Sequence, residues 1–231
     1  MIPKSRGFTL IELMIAISIL SLLMFTGTYA YQLFMSQAEK SLGTFEVTAV
    51  EMKNFSLLQD LVIGIQPYII WEKNHESRKP TFFFEGHEHS LLSISHSGIY
   101  STDNLEIFRL SAQAKENGKT DLIVQTLSSD NLLLLDSEQE LLFENELVLF
   151  RNLDTVEFSY YGWNHFMEES EAIESNKDAN PIWHNQYSGL AAQMIPEIVK
   201  IIIKVENKES EFIIDVDKNS LHYLTPYLEG T

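Results

Sequence analysis

Cysteine is absent from all 231 residues. Disulfide stapling, thiol catalysis and zinc–thiolate sites are therefore excluded. The compartment stays open, since a periplasmic domain of this size can do without bridges. Positive charge is also scarce, with 16 Lys and Arg against 33 Asp and Glu and a net charge of −17. A surface this acidic is repelled by nucleic-acid phosphate, which argues against a nucleic-acid receptor. It suits soluble, extracytoplasmic exposure, with an acidic face left for a partner or divalent cations. The chain lacks a G-x-S-x-G element and any Ser/His/Asp spacing that would flag nucleophilic catalysis, so no enzyme is expected. No internal repeat is visible. Hydrophobic content of 45%, with 14 Phe and 9 Tyr, is ample for a core, and wholesale disorder is excluded. The length allows one globular domain plus an anchoring helix.

There is one membrane-length apolar run. From Phe8 to Phe25 its only charged residue is Glu12, and about 18 residues span ~27 Å as helix. Lys4 and Arg6 flank its N-terminal end, so that end should stay cytoplasmic and the remainder should be periplasmic, across the inner membrane. Tyr29 and Tyr31 stand where an interfacial aromatic belt belongs. An unpaired carboxylate in a bilayer costs roughly 2.5–3.5 kcal/mol, so Glu12 calls for a cation. An α-amino group would serve if the chain were cut after Gly7, making Phe8 the first residue. An ordinary signal peptide needs a small-residue cleavage site after its apolar core, for which Ser21 and Thr26-Gly27-Thr28 are poor substitutes. An uncleaved anchor with an incidental Glu12 is the other alternative.

The stretch Lys4-Ser5-Arg6-Gly7-Phe8-Thr9-Leu10-Ile11-Glu12 before an apolar helix resembles the N-terminus of type IV pilins and type II secretion pseudopilins. The resemblance implies a prepilin peptidase that cleaves after Gly7 and methylates the new N-terminus at Phe8. It also implies that Glu12 is the assembly contact, pairing with the N-terminal amine of a neighbouring subunit in the fibre.

Beyond the membrane segment, Phe34, Ala38, Leu42, Phe45, Ala49 and Met52 recur at helical spacing. A helix continuing to Leu61 and Val62, stopped by Gly64 and Pro67, is predicted. From Phe8 it would run ~80 Å. The apolar stripe reads as domain packing, with a cofactor-binding stripe as the exotic alternative. The expected organisation is a leader over 1–7, a transmembrane and assembly helix over 8–30, an amphipathic periplasmic helix over 31–66 and a globular domain over 67–231.

After Pro67 the pattern turns to β. Strands are predicted at Tyr68–Trp71, Thr81–Glu85, Leu91–Ser95, Leu105–Leu110, Leu122–Thr126, Asn131–Leu135, Glu146–Phe150, Thr155–Tyr161, Ile198–Glu206 and Glu211–Val216. Turn clusters such as Glu116-Asn117-Gly118-Lys119 and Asp217-Lys218-Asn219-Ser220 divide them. Leu132–Leu135 and Leu141–Phe143 are continuous apolar runs that also suit helix. Glu168–Asn180, rich in acids with little periodicity, reads as a solvated insertion. One long N-terminal helix followed by an antiparallel β-rich domain is an α+β layout, as the resemblance also implies.

The body carries a second resemblance, to the J-type minor pseudopilin of type II secretion. Its residues are Gln59-Asp60-Leu61, Phe84-Glu85-Gly86 before Leu91–Ser95, and the tyrosine-rich run from Leu153 to Trp163. Trp183 and then Ile195-Pro196 leading into Ile198–Ile201 complete it. Two departures are a long acidic segment between the tryptophans and no evident arginine near Pro67. What the resemblance implies is a tip complex with the I-type and K-type minor pseudopilins that primes addition of the major pseudopilin, whose growth pushes cargo outward. The K-type subunit lacks the acid, so a chain with Glu12 should sit beneath another subunit. The alternatives are a minor pilin of a type IV pilus, serving motility, adhesion or DNA uptake, and a membrane-anchored binding module for secreted cargo.

Other candidate sites have plainer readings. His87, Glu88, His89 and His96 could form a metal cluster, or a turn with surface histidines. Asp215, Asp217 and Asn219 have the first spacings of a calcium loop, yet Ser220 and Pro226 stand where Gly and Glu are needed. A polar hairpin turn between Glu211–Val216 and Leu221–Leu224 explains them equally. The acidic segment Glu168–Asp178 could hold Ca²⁺ loosely or be a solvated loop. Trp163 and Trp183 are expected in the core or at a subunit contact. No cofactor is expected.

Overall fold

The computed structural model describes residues 9–73, 78–100, 105–129, 134, 139–175, 180–206, 208–216 and 220–228. Contacts divide the chain into two units between Met52 and Lys53.

Helix α1 is Leu10–Ile63. In the first unit its apolar half needs its polar side chains satisfied locally, because lipid offers no partners. The hydroxyls of Ser18, Ser21 and Thr28 donate to the carbonyls of Met14, Ile17 and Met24 at 2.8, 2.8 and 2.6 Å. The stripe residues Phe34, Phe45 and Met52 belong to this first unit, and within the second unit α1 packs on the core through Phe55, Leu58, Leu61 and Val62.

The second unit opens on the last part of α1, which stops one residue beyond the expected end. The Gly64 N–H donates to the Asp60 carbonyl at 2.9 Å. A Cβ at Gly64 would collide with Ser95 Oγ and the Ser97 backbone, so the chain can turn here only at glycine.

All strand pairs are antiparallel. β1 (Ile69–Lys73) and β2 (Arg78–Phe82) form a two-stranded ribbon. A six-stranded sheet contains β3 (Glu85–His87), β4 (Ser90–Ser95), β5 (Glu106–Ala114), β6 (Thr120–Ser128), β7 (Asn145–Leu153) and β10 (Tyr187–Ser188), in the order β10-β3-β4-β5-β6-β7. A four-stranded sheet contains β8 (Thr155–Gly162), β9 (Ile182–His184), β11 (Ile198–Val205) and β12 (Lys208–Asp215), in the order β12-β11-β8-β9. Short helices are α2 (Phe166–Ser175), α3 (Gly189–Ala192) and α4 (Ser220–Leu228).

Strict alternation on β8 and β11 buries Val156, Phe158, Tyr160, Val199, Ile201 and Ile203. These meet Leu58, Leu61 and Val62 from α1 and Phe108, Leu110, Leu122 and Val124 from the six-stranded sheet. Each such side chain contributes roughly 1.5–3 kcal/mol on burial. Phe55 locks the helix end, with its ring 4.5 Å from Phe150 and 5.0 Å from Phe212.

Several sequence expectations change. The predicted strand Thr81–Glu85 is two strands, broken at Phe83–Phe84. Phe166–Ser175 is helix rather than solvated loop: Phe166 packs on the core, and acids at Glu168 and Glu169 suit a helix N-terminus. The segment after β12 is helix α4, not the second strand of a hairpin. Of Asn131–Leu135 only Leu134 is described, buried and outside regular structure, and Leu141–Phe143 is neither helix nor strand.

Candidate functional site

Glu12 lies in the first turn of α1, where the helix leaves backbone N–H groups unpaired. Thr9 and Glu12 answer this as a reciprocal pair. The Thr9 N–H donates to Glu12 Oε2 at 3.0 Å, and the Thr9 hydroxyl donates to the same oxygen at 3.0 Å. In return the Glu12 N–H donates to Thr9 Oγ1 at 3.4 Å. This is a capping box, T-x-x-E, whose spacing was legible in the sequence and was missed. It gives the carboxylate local donors but no counter-charge. Gly7 and Phe8, with the leader, lie outside the described residues.

Around this acid the helix is apolar on every side. Leu10–Ser41 contains an 18-residue window with a mean hydropathy of 2.2 and is long and apolar enough to cross a membrane. Ile11, Ile15, Ile19, Leu22 and Phe25 are all exposed. A helix hydrophobic all round needs lipid or other helices as its surroundings.

The other candidate positions do not converge. His87 Nε2 is 3.4 Å from Glu85 Oε1, His89 Nδ1 is 3.0 Å from the Val156 carbonyl, and His96 Nδ1 is 2.8 Å from the Gly64 carbonyl. Each ring is held by its own neighbour, and no group of three or more His, Asp or Glu among the described residues is placed to hold a metal ion. Asp217 and Asn219 of the calcium-like spacing lie outside the described residues, as does Asp178. Trp163 is half-buried against the core. Trp183 is not core: it is 45% exposed on β9, with the Lys200 ammonium 4.5 Å from its ring.

The tyrosine-rich strand and the Ile195-Pro196 segment come together in space. β8 pairs with β11, Tyr161 opposite Ile198. Tyr160, fully buried, donates its hydroxyl to the carbonyls of His87 and Ser90 at 2.9 and 3.1 Å. Burial pushes that phenol's pKa up, well beyond its ordinary value. Gly86 is needed there, because a Cβ would enter the Tyr160 ring.

Residues 2–27 match the model of the prokaryotic N-terminal methylation motif. The chain has a prepilin-type N-terminus. No curated protein matches the chain. The motif supports a type IV pilin-like or pseudopilin protein, a class generally without enzymatic activity, and α1 is consistent with its single-pass membrane anchor. It implies processing by a prepilin peptidase and assembly with other pilins.

Proposed function

We propose that the chain is a minor pseudopilin of a type II secretion system. It inserts into the bacterial inner membrane with its N-terminus cytoplasmic and its β-rich domain periplasmic. Prepilin peptidase cuts after Gly7 and Phe8 is methylated. Glu12 then receives the terminal amine of a neighbouring subunit above it, in a tip complex with the I-type and K-type minor pseudopilins that primes the major pseudopilin for protein export.

The observation that carries this reading is Glu12 itself, a carboxylate on an all-apolar helix whose local partners are the neutral groups of Thr9. A neutral cap leaves the charge uncompensated in lipid, and a cation from another chain compensates it. The secretion assignment is supported by the body: the tyrosine-rich β8 leading to Trp163, and Ile195-Pro196 leading into β11. A minor pilin of a type IV pilus is the second reading, since the methylation motif supports it equally.

Co-purification tests this. The full-length chain, extracted in detergent from membranes that also contain I-type and K-type pseudopilins, is expected to bring both down. Recovery of the chain alone, or with pilus subunits instead, would reject the secretion assignment.

A further inference from the structure

Most edges of the four- and six-stranded sheets are blunted among the described residues. β10 and β9 are two and three residues long. β7 pairs with β6 through register shifts, and its Leu149 carbonyl is taken by Asn54 Nδ2 at 2.7 Å. β2 carries Pro80. Short strands, irregular register and proline are the usual protections of a sheet edge.

β12 has none of these. It is eight residues long, it pairs with β11 without a register break from Ile198–Asp215 to Val205–Lys208, and no strand among the described residues pairs its other side. The direction of its backbone groups follows from the ladder. The Lys204 carbonyl accepts the Asp154 N–H at 2.8 Å, on the β8 side of β11. Lys204 and its partner Glu209 are therefore a pair whose backbone groups point away from each other. At the other end the Val216 N–H donates to the Glu197 carbonyl at 2.9 Å, so even-numbered residues face β11. Glu209, Glu211 and Ile213 thus turn their N–H and C=O groups to the open edge.

Their side chains lie on the outer face of the same sheet and are exposed, Ile213 by 60%. Lys204 and Lys200 approach Glu209 and Glu211 at 3.3 and 3.6 Å, yet about half of each acidic side chain stays open. Among the described residues, the exposed acids Glu209 and Glu211 are what this edge presents. Like charges directly opposite are unfavourable and opposite charges are favourable, so a second copy of β12 is disfavoured and a basic strand is not.

We propose that β12 is a docking edge for an extended, basic segment of another protein, which adds as a fifth strand to the four-stranded sheet. Main-chain hydrogen bonds from Glu209, Glu211 and Ile213 supply the binding, and lysine or arginine opposite the two acids selects the partner. The edge is independent of Glu12 and would act whether or not the chain enters a fibre.

The test uses the full-length chain in detergent and a synthetic peptide alternating lysine and valine over about the length of β12. Hydrogen exchange at Glu209, Glu211 and Ile213 is expected to slow about tenfold on peptide addition. Ile213→Pro removes an outward N–H without touching the β11 ladder, and should abolish that protection while Phe212 and Ile214 remain protected. Glu209→Lys with Glu211→Lys keeps the backbone and should transfer the preference to a glutamate–valine peptide. Equal protection by a lysine–proline peptide, which cannot form a strand, would reduce the effect to charge alone and overturn the proposal. So would protection mapping elsewhere, preference unchanged by the charge reversal, or protection that rises with chain concentration in the absence of peptide.

Discussion

The Thr9 N–H and hydroxyl both donate to one oxygen of Glu12, each at 3.0 Å. The carboxylate that caps the helix is the same group that the proposed subunit pairing would present to an incoming amine. On the proposed function, Glu12 would serve both the cap and the subunit contact, and these have different requirements. Capping needs an acceptor at this position, whereas subunit pairing needs a negative charge.

Glu12→Gln separates the two roles. The amide oxygen still caps Thr9 but carries no charge. Normal processing is expected, with poor entry into the fibre or its priming complex, similar to Glu12→Ala. Gly7→Ala should instead leave the full-length precursor, visible as slower migration on a gel. Wild-type fibre entry by Glu12→Gln would show that the cap, not the charge, is what assembly uses.

Gly86→Ala addresses the tyrosine-rich core. Its Cβ would occupy the space of the Tyr160 ring, which is fully buried and bonded to two carbonyls. Overpacking of this kind costs about 1–3 kcal/mol or more. The loss should appear as a lower denaturation midpoint, and Tyr160→Leu should be less harmful in the Gly86→Ala background than alone. Additive losses would mean that the two residues do not share the space.

The parts of the fold legible in sequence were those with strong periodicity. β8 alternates along its length and β11 as far as Ile203, and α1 stops at a glycine required by Ser95 and Ser97. Local composition was misleading where tertiary packing decides the element. Glu168 and Glu169 look like a solvated loop, but at a helix N-terminus acids are favourable, and Phe166 anchors α2 to the core. Trp183 reads in sequence as core or subunit contact, and a three-residue edge strand with Lys200 against the ring leaves it half-exposed. At the site, Glu12 is evident from its apolar surroundings, whereas the Thr9 cap is carried only by a T-x-x-E spacing that many non-capping positions share. β12 as an open edge was not legible, since edge position depends on strand order.

Asp121 predicts acid sensitivity. Its side chain is 7% exposed and lies 2.6 Å from Lys115 Nζ, and the Asn152 N–H donates to it at 2.8 Å. Burial alone would raise its pKa, but the Lys115 and Asn152 hydrogen bonds and the charges of Lys115 and Arg151 outweigh that and hold it below the ordinary value. A depressed carboxyl stabilises the fold above its unfolded pKa and loses that contribution as pH falls through the folded one. Asp121→Asn keeps an acceptor for Asn152 and loses the ion pair, so it should cost roughly 1.5–3 kcal/mol at neutral pH. The gap from wild type should close in acid. A gap that is constant with pH would assign the loss to packing.

Glu169 predicts the opposite sign. Its Oε2 is buried with no hydrogen-bond partner among the described residues. Burial, then the nearby Glu197 charge, raises its pKa. The Tyr187 hydroxyl, which the same two acids also face, is committed to the Trp163 carbonyl at 2.9 Å. A carboxyl that holds its proton more tightly when folded favours the fold as pH falls from above its raised folded pKa toward its ordinary value, and opposes it at neutral pH. Glu169→Gln removes the charge and adds a donor in the same volume. Its denaturation midpoint should exceed wild type at neutral pH, and the advantage should shrink as wild-type Glu169 takes up its proton. Were Glu169→Gln less stable than wild type at every pH, the carboxylate would have to be engaged by a favourable partner, and α2 would be held by its charge rather than in spite of it.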